Sequence, residues 1–454
     1  MIIFADCING RSMIVLMLAL SVAPQVDTAA SAPSVITLEQ ALEIALAESP
    51  TVKVAEKEIE VKKYAKKGSY AALFPQVDAS GSFNRTLKKQ VMTMDFGGVS
   101  QSIEIGRWNT VNAGVSASMP LVNAQLWKSL SVSGEDVELA VEKARSSRLE
   151  MVNQVKQAYF AVLLAKEAHH VYESVYDNAV QNLDLTQKKY NASRASELDL
   201  ARAKTTVANA VPNMYDSENA IYLSLWQLKA VMGIDLAADI DVADSLLAYS
   251  SQMQTAIPDD SYDLSGNSAL KQLEMQAKQI ADNIKIQQYS TLPSLALGAS
   301  YTFNAMEDEF NFSQYDWHPY SYIALSLSIP IFAGGKRNSN IKQAKLQAEE
   351  LSIQRENTER QLQIAIRQSL STMETAIKSH ESALDALESA QKAYDIAAKS
   401  YEVGRSTLTE LDSAQLALTQ AQLAASQAIY SYLVAKAALE STIGADYTTE
   451  NIIQ

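Results

Sequence analysis

Two kinds of periodicity alternate along this chain. Between positions 123 and 190 apolar residues return every seven places, with Val141, Val155, Val162, Tyr176, Leu183 and Tyr190 on one line. Between 336 and 401 the equivalent line holds Met373, His380, Leu387, Tyr394 and Tyr401. A seven-residue period predicts long helices supercoiled left-handed against their neighbours. At 1.5 Å per residue each would be roughly 100 Å long. Alanine, serine and glutamine fill much of the seam. A helix with so thin an apolar stripe suits a wall one helix thick, wet on both sides, and cannot form a deep core.

The second period is two. Val77, Ala79, Gly81 and Phe83 alternate with polar residues. So do Val111, Ala113, Val115, Ala117 and Met119; Leu295, Leu297, Ala299, Tyr301 and Phe303; and Ile323, Leu325, Leu327 and Ile329. Pro75, Pro120, Pro293 and Pro330 bound these runs, and Trp108, Tyr315, Trp317, Tyr320 and Tyr322 gather at their ends. Strict alternation predicts four strands with one apolar and one polar face. Alternation with aromatic edges fits lipid-facing strands of an outer-membrane barrel better than a soluble sheet, which would need helices with broad apolar faces. In lipid an open edge leaves backbone groups unpaired, so such strands must close on themselves. Four strands enclose nothing. Two copies would supply eight strands, an interior filled by side chains; three would supply twelve, enough for a channel.

The whole pattern occurs twice. GVSASMPLVNA at Gly114 is echoed by ALSLSIPIFAG at Ala324, and VMGID at Val231 by TIGAD at Thr442. Gln157 matches Gln368 and His169 matches His380, both at an offset of 211. Each half reads helix, two strands, long helix, break, helix. The expected organisation is a leader over 1–30, a first repeat over 31–240, a linker over 241–267, a second repeat over 268–445 and a tail over 446–454. Thr37 and Gln40 form a capping box that opens a helix expected to run to about Phe74. Its counterpart covers about Ser268 to Thr291. Pro212 is expected to break or kink the helix that carries it, either where stacked helices join or at a bulge around the waist of the columns.

Composition narrows the setting. The net charge of −14 argues against nucleic acid as a partner, since phosphate binding needs basic patches. Arg11 precedes the apolar run MIVLMLALSVA, and small residues follow, so a secretory signal with cleavage near Ala30 is expected. The single cysteine, Cys7, lies before that run, so the mature chain would have no disulfide. No P-loop, nucleophile elbow or metal-spaced His/Cys cluster occurs, and no cofactor is expected. His169 and His380 read as stripe residues of the coiled coil, and His170 points elsewhere on its helix.

The stretch YEVGRSTLTELDSAQ, Tyr401 to Gln415, interrupts a helical region with glycine and small polar residues, and YNASRASELDLARAK echoes it 211 places earlier. Gly404 can take positive φ and stop the helix. Thr407 then caps the next helix with Glu410 completing a capping box, and Ser196 with Asp199 repeats the arrangement. With ITLEQALEIALAESP at the start and the paired strand–proline–helix junctions, these residues resemble the TolC family of outer-membrane efflux channels over about Ile36–Ala445. The resemblance implies a mainly α fold with a small β part: long antiparallel helices forming a trimeric α-barrel tunnel through the periplasm, plus a 12-stranded transmembrane β-barrel to which each chain gives four strands. It implies a homotrimer in outer-membrane lipid, acting as the passive exit duct of a tripartite efflux or secretion system, with an inner-membrane transporter and a periplasmic adaptor as partners. It also implies a periplasmic gate at the two turns, with Asp199, Glu410, Tyr401, Arg405 and Arg194 as its residues. Arg405 and Asp412 each stand one place before the family's corresponding positions. The alternative is a periplasmic coiled-coil scaffold without a pore.

Overall fold

The computed structural model describes residues 34–96, 99–254, 262–311, 313 and 315–446. The expected leader and almost all of the tail lie outside them. The strands are β1 (Ser34–Ile36), β2 (Gln76–Arg85), β3 (Gln90–Phe96), β4 (Val99–Ile105), β5 (Asn109–Val122), β6 (Ile240–Val242), β7 (Ser294–Glu307) and β8 (His318–Ser328). The helices are α1 (Leu38–Glu48), α2 (Pro50–Ala71), α3 (Ala124–Asn191), α4 (Glu197–Met232), α5 (Ser268–Tyr289), α6 (Lys336–Glu402) and α7 (Leu408–Ile443).

The Thr37–Gln40 box forms as expected, with the Gln40 amide 3.3 Å from the Thr37 hydroxyl and the Thr37 amide 3.0 Å from Oε1 of Gln40. The helix does not run unbroken to Phe74. Ser49 turns out at ψ 127° and Pro50 opens α2. Proline disfavours the α conformation for the residue before it, yet suits the first helical position.

Pro212 has the opposite outcome: α4 passes through it without a break. The reason lies in its face. Ala203, Ala210 and Ser217, seven apart, form the buried seam of α4 beside α3. Pro212 is exposed. The missing amide and the ring crowding fall on the solvent side, where a helix can lengthen its hydrogen bonds while the seam stays packed.

The joints between stacked helices lie at two glycines 211 places apart. Gly233 ends α4 at φ 77° and Gly444 ends α7 at φ 77°. A Cβ on Gly233 would stand 2.7 Å from Cδ of Pro50, at the junction of α1 and α2. On Gly444 it would stand 2.7 Å from the carbonyl carbon of Gly266, just before α5. Each tip-side helix thus butts onto the start of a sheet-side helix, and only glycine permits both the left-handed turn and the close approach. Beside them α3 and α6 run on uninterrupted.

The packed core sits around these joints. Leu42, Val155, Tyr159, Val162, Leu163, Leu228, Met232, Leu246 and Ile429 are essentially sealed from solvent there. The short parallel ladder of β1 and β6 closes one side of it. The Tyr159 hydroxyl donates to the Asp244 carboxylate at 2.7 Å, and the Tyr249 hydroxyl donates to the same oxygen at 2.9 Å. Burial, then the hydrogen bond to Asp244, raises both phenols far above their ordinary range. Away from this waist the wall is thin. Along α6 the expected line Met373, His380, Leu387, Tyr394, Tyr401 is buried or half-buried throughout, whereas on α3 Val141 and Tyr190 lie outside the seam.

At the far end of the columns, β2, β5, β7 and β8 form one antiparallel sheet in that order. Cross-strand partners such as Ala79 and Val115, Val115 and Tyr301, and Leu297 and Leu325 bring the four apolar runs onto one face. That face is open: Ile323 is 80% exposed and Leu325 64%. The strand expectations hold, with one correction. Tyr320 and Tyr322 pair with Thr302 and Ser300 and lie on the polar face, outside any girdle on the apolar one. A separate hairpin, β3–β4, extends beyond the sheet. Asp308 moors its base, accepting from Arg107 at 2.5 Å, Lys89 at 3.0 Å and the Trp108 amide at 3.1 Å.

Among the described residues no helix is long and apolar enough to cross a membrane, which says nothing of a barrel, and no His/Cys/Asp/Glu group is arranged to hold a metal ion.

Candidate functional site: two capped reversals at the tip

The end of the molecule remote from the sheet is made of two helical reversals, α3 into α4 and α6 into α7. They share one backbone. Ser193 takes φ 56° and its counterpart Gly404 takes φ 79°. The next amides, of Arg194 and Arg405, each donate back to the closing turn at 2.8 Å, to the carbonyls of Lys189 and Ser400. Ser193 is the one non-glycine residue with positive φ among the described residues. The sequence reading placed the glycine role at Gly404 and left Ser193 unnoticed; the 211 offset was the signal that could have found it.

Both caps form. The Ser196 hydroxyl accepts from the Asp199 amide at 3.1 Å, and the Asp199 carboxylate accepts from the Ser196 amide at 3.2 Å. The Thr407 hydroxyl accepts from the Glu410 amide at 3.3 Å, and Glu410 accepts from the Thr407 amide at 2.9 Å and the Ser406 hydroxyl at 2.7 Å. Hydrogen bonds to the ionised form favour it. Those from Ser196 hold the Asp199 carboxyl below its usual range, and the Thr407 amide with the Ser406 hydroxyl does the same for Glu410.

The chemistry that joins the two reversals is not repeated. The Thr186 hydroxyl donates to the Asn182 carbonyl at 2.7 Å, so its remaining contact, 2.6 Å to the Tyr401 hydroxyl, is one in which the phenol donates. Lys189 sets its ammonium 3.9 Å from the centre of the Tyr401 ring and donates to the Tyr401 carbonyl. Together these tie the last turn of α3 to the last turn of α6. Arg202 donates to the Thr409 hydroxyl at 3.3 Å, and the Thr206 hydroxyl lies 3.4 Å from the Asp412 carboxylate. These tie the second and third turns of α4 to the first two turns of α7. Burial pushes the Asp412 carboxyl up and the Lys189 ammonium down.

Of the expected gate residues, the structure therefore puts Tyr401 in a buried junction and Asp199 and Glu410 in caps. Arg194 and Arg405 are exposed, and among the described residues neither guanidinium forms an ion pair. Thr186, Lys189, Arg202, Thr206 and Thr409 were not foreseen. Their counterparts by the repeat are Ala397, Ser400, Ser413, Ala417 and Leu198, so they stand where the halves part company.

A sheet with one open apolar face at one end, capped helical reversals at the other, and a thin wall of columns between them define an α-helical column protein with an open four-stranded sheet. The sequence pattern of outer membrane efflux proteins matches residues 41–234 and 263–445, and the chain belongs to that family. It is 23% identical over 318 residues to the solvent efflux pump outer membrane protein SrpC of Pseudomonas putida. That alignment takes in 69% of this chain and 64% of SrpC, less than two thirds of the relative's length. The fold matches that of the Campylobacter jejuni CmeC outer membrane channel with a TM-score of 0.70 at 18% identity, covering 92% of this chain and 88% of that one. The outer membrane protein VceC of Vibrio cholerae matches with a TM-score of 0.69 at 15% identity, over 90% and 97%.

Proposed function

We propose that three copies of this chain close their sheets edge to edge into a twelve-stranded barrel in the outer membrane, continued by a tunnel of helical columns through the periplasm. The observation that carries this reading is the sheet itself. β2 and β8 are both unpaired edges, and the face between them presents Ile323, Leu325 and Leu327 to the outside. Unpaired edges flanking an apolar face are tolerated in lipid only when further copies complete a barrel. The accessible surface supports it as well: 29823 Å², against about 17,000 Å² for a self-contained monomer of this mass.

In this reading the protein is a passive exit duct. It holds no energy source, and an inner-membrane transporter working through a periplasmic adaptor drives cargo along it. The tip is the gate. Tyr401 with Thr186 and Lys189, and Arg202 with Thr409, clasp the two reversals of each copy, while Asp199 and Glu410 of three copies ring the axis with negative charge. Opening means parting the α3–α6 and α4–α7 contacts. The names of the relatives, a solvent efflux component among them, support small organic cargo.

The test is fractionation of cells expressing the full chain. Heat-modifiable, detergent-resistant trimers in the outer membrane are expected. A soluble periplasmic monomer would return the scaffold reading.

A further inference from the structure

We propose that the polar face of the sheet carries a weak binding ledge for planar aromatic cations, made by Tyr320 and Tyr322 of β8, with Asp78 of β2 lending negative charge further along the same face. This rests on the barrel reading above, in which the polar face lines the lumen. The continuous register of β7 with β8 fixes which way these tyrosines stand. Tyr320 faces Thr302 and Tyr322 faces Ser300, and from there the rows run on to Gly114 and Ser80 and to Ser116 and Asp78. Residues directly opposite in an antiparallel sheet share a face. The two rings therefore rise from a floor of Gly, Ser and Thr, with centroids 5.7 Å apart and planes at 43°. They are 63% and 48% exposed.

The floor is kept low by more than composition. A Cβ on Gly114 would meet Cγ2 of Thr302 at 2.5 Å, so nothing larger fits beside the tyrosine row. Large aromatic rings on a polar, water-facing surface have no packing role there, since the apolar face lies on the other side of the strand. What they offer is π surface at the edge of a shelf.

Charge selects the ligand. On the polar face of β2, β5, β7 and β8 the even-numbered positions of Gln76–Asn84, Thr110–Pro120, Ser294–Met306 and His318–Ser328 include one carboxylate, Asp78, and no lysine or arginine. A cation is drawn to the ring faces and meets no like charge. A flat delocalised cation gains from stacking and cation–π attraction at the two rings, and Asp78, three strands away at about 14 Å, adds a longer-range attraction along the same face. In three copies the ledge would occur three times around the lumen, so a passing molecule would be held briefly near the outer mouth.

The experiment uses the full chain reconstituted in lipid vesicles, with proflavine as probe. Cys7 is the single cysteine, so in a Cys7→Ser background an introduced cysteine is the one thiol present. A water-soluble maleimide should label Ser300→Cys rapidly and Ile323→Cys slowly. Equal rates would overturn the barrel reading itself. With that parity in place, proflavine should slow labelling of Ser300→Cys, and absence of protection would overturn the ledge while leaving the barrel. Tyr320→Ser with Tyr322→Ser should weaken proflavine binding about tenfold, and Tyr320→Phe with Tyr322→Phe should restore it to near wild type. Undiminished binding in the serine variant, or no recovery in the phenylalanine variant, would also overturn it.

Discussion

The hydroxyl of Tyr401, the last buried residue of one long helix, lies 2.6 Å from that of Thr186 near the end of the other. The bond spans 215 positions of sequence and joins the two halves at the point furthest from the sheet. Tyr401→Phe removes the donor and keeps the ring under Lys189. The cost should be about 0.5–1.5 kcal/mol, the usual net worth of one hydrogen bond. Assembly should be unchanged, and single-channel recordings should show more frequent or wider opening. Unaltered gating would leave Tyr401 as packing only.

The caps and the charge of the tip can be separated. Asp199→Asn with Glu410→Gln keeps side-chain oxygens that can cap a helix, so folding and assembly should hold. If three copies bring these carboxylates into the proposed ring, the substitutions remove it, so cation selectivity and block by trivalent cations applied from the tip side should both fall. Recordings with selectivity and block intact would assign both residues to capping alone.

Acid should act on the tip in two opposed ways. Asp199 and Glu410 are held low in the fold, so the stability they add is present at neutral pH and is lost as pH falls through their folded values. Asp412 is held high by burial, so its ionised form opposes the fold at neutral pH, and protonation on mild acidification relieves this. Asp412→Asn should therefore raise the protection of amides in the opening turns of α4 and α7 at neutral pH, measured against the intrinsic exchange rate at the same pH. It should also abolish any further gain in protection between neutral and mildly acidic pH. Protection that still rises there would point to another group.

Ser193 and Gly404 hold the same left-handed turn, one with a side chain and one without. Ser193→Gly should stabilise the first reversal by up to about 1 kcal/mol, and Gly404→Ala should destabilise the second by about 1–2 kcal/mol. Thermal unfolding of the two variants checks the pair, and shifts of the same sign would contradict the shared geometry.

At the sheet, Leu325→Arg or Leu327→Arg should cost about 2–4 kcal/mol near the bilayer midplane and impair assembly, whereas Ser326→Arg on the polar face should be tolerated. Trimer yield from membranes is the readout. Equal losses at both parities would refute the face assignment.

Much of this was legible because periodicity is read directly. The long helices begin and end within a residue of the expected limits, and the four alternating runs all became strands of one sheet. The breaks were harder. Pro50 and Pro212 look alike in sequence, yet one sits at a helix start and the other on the outer face of a packed helix, and only the tertiary seam separates the two cases. The β3–β4 hairpin was overlooked although Met92, Met94 and Phe96 alternate with Thr93 and Asp95, and Ile103 and Ile105 with Ser102 and Glu104; Val91 and Gln101 are where its pattern breaks. At the tip, the repeat exposed the shared backbone and caps. The ties of Thr186, Lys189 and Arg202 escaped because partners 207 to 215 positions apart carry no local signature.

The glycine joints give the columns unequal mechanics. α3 and α6 are single struts from sheet to tip, whereas α4 and α7 are spliced at the waist, where Gly233 and Gly444 abut other backbone. A twist applied at the tip can swing the spliced members about those seams, and the continuous ones must bend along their whole length. Motion below the waist is thus insulated from the sheet: the lower half can slacken while the upper half keeps its register.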